Sequence, residues 1–131
     1  HYFGRVNGCE INMRHKIESS TVPYGRGTAL LKHIEWNRIW AATGIQPRAD
    51  LLIRSHVHYC HGPVDHDGTI GLVTPCLQGL GDKFGSRQCV GKVDFGLVMF
   101  TITAGGEISW KKSILEGEAQ RDESEVLFAV S

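Results

Sequence analysis

The chain has 131 residues, 41% apolar and 21% charged, and its 14 basic and 14 acidic side chains give a formal net charge of zero. That is the size of one domain able to bury roughly two-thirds of its unfolded surface. Zero net charge excludes a bulk electrostatic grip on nucleic acid or an anionic membrane, and no apolar run approaches the roughly 20 residues of a bilayer span.

The N-terminus, His1-Tyr2-Phe3-Gly4-Arg5, carries neither an initiator Met nor a charged-then-apolar signal, so a processed, cut or cloned fragment is expected. Cys9, Cys60, Cys76 and Cys89 are widely spaced and contain no Cys-x-x-Cys pair. This spacing excludes a zinc ribbon or redox motif and fits free thiols in a reducing, cytoplasmic compartment.

Val6 to Met13 alternates in part and is read as a strand leading into Arg14-His15. Residues 18–27 form a loop by their Ser, Pro and Gly content. A helix is predicted from Thr28, as N-cap, to Thr43, stopped by Gly44 and kept from resuming by Pro47. Leu30, Ile34 and Ala41 form its apolar stripe, widened by Leu31, while Trp36 and Trp40 form an i,i+4 pair. So wide an apolar girth predicts a helix with little free surface, its aromatic pair in the core.

The chemically densest stretch follows. Asp50 to Ser55 reads as a strand, and His56 and His58 continue it at period two, which would send both imidazoles off one face. Each neutral imidazole offers a lone pair to a divalent metal. Cys60 shares their parity as a further candidate ligand, and His66 lies between Asp65 and Asp67. Gly62-Pro63 is expected to end the strand and 65–68 to turn, before a short apolar strand from Thr69 to Thr74.

Gly79, Gly81 and Gly85 mark a loop; Gly79-x-Gly81 without a following helix is no phosphate cradle. Val90 to Thr103 and Ile108 to Leu115 read as a hairpin closed at Gly105-Gly106. Residues 116–125 are an acidic solvated segment, and Val126 to Val130 are expected as a last edge strand. The class is α+β, β-rich with one main helix, as a single domain over 1–131.

These residues resemble the calcineurin-like metallophosphoesterases, in particular phage and bacterial members. Asp50-Leu51-Leu52-Ile53-Arg54-Ser55-His56-Val57-His58 is similar to the family's strand running into Gly-His-x-His, with Ser55 in place of the glycine. Ile11-Asn12-Met13-Arg14-His15 is similar to its preceding strand ending in one metal-binding histidine. The resemblance spans roughly His15 to Leu115. It implies a four-layer α/β/β/α sandwich and two divalent metals (Mn, Fe or Zn), with His15 and His56 on one and His58 on the other.

The implied activity is that of a phosphatase, hydrolysis of a phosphate ester by metal-activated hydroxide. Arg14 and Arg54 are candidate phosphate contacts. Nucleic acid enters only as a conceivable substrate. The family's earlier Asp-x-His, Gly-Asp-x-x-Asp and Gly-Asn-His-Asp/Glu motifs do not occur in the 14 residues before His15. The resemblance is therefore to a carboxyl-terminal half, with an N-terminal half as the expected partner.

The rival reading is a non-catalytic interaction domain holding one zinc through His15, His56 and His58, with Cys60 or Asp67 as a further ligand. A cupin wants a Glu about four residues beyond His-x-His, where Gly62 stands, and a zincin wants His-Glu-x-x-His.

Overall fold

The computed structural model describes residues 1–18, 25–57, 59–77 and 94–115. They form a mixed α/β arrangement rich in strands, with one helix. Residues 78–93, the acidic segment 116–125 and the expected last edge strand lie outside these residues.

Two strands open the chain, β1 (Tyr2–Val6) and β2 (Cys9–Arg14), paired antiparallel. A single strand was expected here. The turn between them is Asn7-Gly8, with φ of 47° and 83°. Positive φ at both central residues suits a tight hairpin whose twist matches its strands, and Asn and Gly tolerate it best.

The helix α1 runs Arg26–Ala42, its N-cap three residues ahead of the expected Thr28. Gly25 is its N-cap and makes no side-chain capping bond, so Thr28 sits inside the first turn rather than capping it. The C-terminus matches the expected stop. Gly44 takes φ of 78°, its N–H donates to Ala41 O at 3.1 Å, and Ile45 N–H donates to Trp40 O at 2.8 Å. These two bonds satisfy carbonyls that the last helical turn leaves open.

β3 (Leu51–Arg54) lies parallel to β2, and the two pair from Ile11–Leu51 to Arg14–Arg54. β4 (His61–His66) and β5 (Thr69–Val73) form an antiparallel hairpin turning at Asp67-Gly68. β5 also pairs parallel with β3, so the five-stranded order is β1-β2-β3-β5-β4. Gly62-Pro63 lies within β4 at a register shift rather than ending a strand. Proline is tolerated there because β4 is an edge strand that can forgo one ladder bond.

One face of this sheet takes the helix. Leu30 and Ile34 are fully buried and join Ile17, Leu52, Val57, Tyr59 and Val73 in the core. A Cβ on Gly71 would sit 2.8 Å from Ile34 Cδ1 and 3.2 Å from Leu30 Cδ1, so the missing side chain is what lets α1 approach β5.

Asn37 is buried as well. Its Oδ1 accepts from Ala49 N–H at 2.9 Å and its Nδ2 donates to Pro47 O at 3.1 Å, clamping the helix to the segment that enters β3. The remaining helix surface is not covered: Leu31 is 40% exposed, Trp36 49% and Ile39 49%. Trp36 and Trp40 do stack, with ring centroids 5.5 Å apart, but they stack on the surface. The expectation of a core aromatic pair is corrected: the buried helix residues are Leu30, Ile34 and Asn37, and both indoles lie outside that stripe.

The last hairpin, β6 (Phe95–Ile102) with β7 (Ile108–Leu115), forms a separate two-stranded sheet. It lies against the sheet face opposite the helix, where Ile53 and Leu72 share a cavity of about 240 Å³ with Leu97 and Phe100. Cys9 Sγ donates to Gly106 O at 3.2 Å and Asn7 Nδ2 to Ile102 O at 2.9 Å, tying this hairpin to the first.

Candidate metal centre

β2 and β3 are neighbouring parallel strands, so their carboxyl ends emerge side by side. Arg14 and Arg54 are the last register pair. His15 follows directly on one strand, and Ser55-His56 on the other. His56 takes φ of 84°, a left-handed conformation that a non-glycine residue adopts only at some cost. The chain thus leaves the strand before His56, so the expected strand alternation does not extend to His56.

That turn carries the His56 ring across to the neighbouring strand. His56 Nδ1 and His15 Nε2 are 3.2 Å apart, with ring centroids 5.0 Å apart at 71°. Two imidazole nitrogens on one tetrahedral zinc, each about 2.0–2.1 Å from it, stand about 3.3 Å apart. The pair therefore fits the donor spacing of a shared cation. His15 is exposed and His56 half-buried, so the pair is reachable from solvent.

His58 lies outside the described residues. Cys60 is half-buried, and its backbone N–H donates to Asp94 Oδ2 at 2.6 Å. Among the described residues, no third metal-ligating group joins His15 and His56 at ligand distance.

Behind the pair, on the helix side, Arg54 is 3% exposed. Its Nε donates to His33 Nδ1 at 2.8 Å, and its Nη1 donates to Asn12 Oδ1 at 3.0 Å and to Ile53 O at 2.9 Å. Burial pushes its pKa down to about 10, and the Arg14 charge pushes the same way. His33 Nε2 faces Glu18 Oε2 at 2.9 Å. Burial lowers the His33 pKa, against the opposing pull of Glu18. His33 thus joins a buried arginine to a surface carboxylate.

A three-donor cluster does exist, away from the expected site. Glu35 on α1 meets His66 and Asp67 at the β4–β5 turn, with His66 Nε2 2.5 Å from Glu35 Oε1. The hydrogen bond from His66 lowers the Glu35 pKa. Arg38 bonds both carboxylates, reaching Glu35 at 3.1 Å and also Asp67, so a side-chain cation already answers their charge. His66 and Asp67 could be flagged from sequence, but Glu35 lies 31 residues away and no spacing rule links it to them.

No family model matches this chain, and no curated protein matches it. Among solved structures, a crystal structure of a single-mutant Vps29 from Entamoeba histolytica matches 88% of this chain at 14% identity and a TM-score of 0.44. The match takes in 60% of that protein's length. Among the described residues, no helix is long and apolar enough to cross a membrane.

Proposed function

We propose that this chain forms the carboxyl-terminal part of a divalent-metal-dependent phosphoesterase with a calcineurin-like four-layer sandwich, in which His15, His56 and His58 are imidazole ligands. The observation that carries the reading is the 3.2 Å approach of the His15 and His56 nitrogens at the ends of adjacent parallel strands. A strand-His, helix, strand-His order along the chain supports it. A divalent cation supplies Lewis acidity toward phosphoryl oxygens and lowers the pKa of water.

The chain's own contribution is positional. The β2–β3 pairing sets the height of both histidines, and the left-handed turn at His56 aims its ring.

The test is metal content followed by turnover. The protein, dialysed against Mn or Zn and analysed for metal, is expected to retain it, and His15→Ala and His56→Ala proteins to lose it. The full-length protein, metal-loaded, is then assayed on a chromogenic phosphodiester and a chromogenic phosphomonoester. Wild-type protein that retains no metal after dialysis would sink the reading.

A second reading is a non-catalytic domain with one structural zinc on the same histidine pair, whose 3.2 Å nitrogen separation suits a single tetrahedral cation. Stoichiometric zinc with no turnover on either ester would select it.

A further inference from the structure

Arg54 carries a charge that no described carboxylate pairs directly. It is a cation, 3% exposed, and its hydrogen bonds go to neutral acceptors: the His33 ring, the Asn12 amide and carbonyl, and the Ile53 carbonyl. Among the described residues no carboxylate makes an ion pair with it. The nearest acid in the network, Glu18, is bound to the far nitrogen of His33, and its side chain is 72% exposed. A cation withdrawn from water with only neutral partners leaves a positive field that an anion would answer.

Arg54 borders a cavity of about 150 Å³ between β2, β3 and α1. Arg14, its register partner, lines the same cavity, and its side chain makes no hydrogen bond or ion pair with any described residue. Two guanidiniums at one cavity, against one solvated carboxylate, give it a net positive charge. Guanidinium groups match the oxygens of carboxylates and phosphates with paired N–H donors. At ~30 Å³ per water the space holds a few waters or one small oxyanion.

The other wall is aromatic. Trp36 and Trp40 line the cavity with their indoles stacked, yet they are 49% and 36% exposed. A stacked pair left on the surface beside a cationic pocket offers a flat apolar platform to a planar ring.

We propose that this cavity binds a small oxyanion, a carboxylate or phosphate, carried on a planar ring, with the anion between Arg14 and Arg54 and the ring against Trp36 and Trp40. The proposal is independent of the metal reading: it uses the helix-side cavity and neither histidine ligand.

The test is a tryptophan fluorescence titration of the protein in chelator, in a Trp110→Phe background so that Trp36 and Trp40 supply the signal. The probes are phenyl phosphate, benzoate, inorganic phosphate and phenol. Saturable quenching by phenyl phosphate or benzoate is expected, and the stronger of the two identifies the preferred oxyanion. Inorganic phosphate should bind more weakly and phenol not at all.

Arg14→Gln, an exposed change that spares the buried network, should weaken the ring-bearing anion about tenfold, as loss of a charge-assisted hydrogen bond does. No saturable quenching by either ring-bearing anion, or equal affinity in wild type and Arg14→Gln, would overturn the proposal.

Discussion

Arg54 donates its Nε hydrogen to Nδ1 of His33 across 2.8 Å, and since arginine can only donate, this fixes the proton of neutral His33 on Nε2, facing Glu18. Protonating Nδ1 would break that bond and set two cations together. Burial acts in the same direction, and the His33 pKa lies below its ordinary 6.5. Because the folded value is the lower one, the stabilising contribution is complete above 6.5 and is lost as pH falls through the folded value. Urea unfolding at a series of pH values is expected to show stability declining from about pH 7 downward, and His33→Gln to flatten that decline. An unchanged slope in the variant would count against the assignment.

The helix clamp gives a second expectation. Asn37→Ala would leave the Ala49 N–H and the Pro47 carbonyl without their side-chain partner. A buried group left unsatisfied costs about 1–3 kcal/mol, so the variant should lose about 2–3 kcal/mol in denaturant unfolding with an unchanged m-value.

Exposure separates the tryptophans from the core. Trp36→Ser should cost about 1 kcal/mol or less, the scale of a stacked aromatic pair at the surface, because the indole is 49% exposed. A loss near the ~3–5 kcal/mol of a core aromatic truncation would show that the ring is covered in solution.

Close approach at Gly71 is equally open to test. Gly71→Ala would drive a methyl to 2.8 Å from Ile34 Cδ1. Overpacking of this kind costs about 1–3 kcal/mol. Thermal unfolding would check it, and Ile34→Val in the same protein should recover part of the loss by withdrawing that methyl.

For the histidine pair, His56→Ala and His15→Ala should each weaken binding of cobalt, as a spectroscopic probe, at least as much as the roughly 10–100-fold that removing an outer-shell partner costs. Calorimetry and the visible cobalt spectrum check this together. Retained affinity in both variants would place the metal elsewhere, with Glu35, His66 and Asp67 the first place to look.

Local chemistry was legible in the chain. Gly44 ended the helix where expected, because only a residue at ease with positive φ closes that bonding pattern. Thr69–Val73 and the Phe95–Leu115 hairpin were marked by β-prone runs bounded by turn residues. Asn7-Gly8 carried a hairpin signal as strong as any other, masked because alternation around it is partial. These features depend on a few consecutive residues, and their physics is complete within that span.

What the tertiary structure alone decided is which strangers meet. Period-two alternation cannot foresee that the chain leaves the strand before His56, nor that the turn swings its ring to His15, 41 residues away. The apolar girth of the helix was plain, but which stripe is covered depends on where Gly71 admits it to the sheet. Arg54 reads as an ordinary charge in sequence and is buried only because β2, β3 and α1 close around it. Burial and charge pairing are set by neighbours distant in sequence, and strand order, which brings them together, is a property of the assembled sheet.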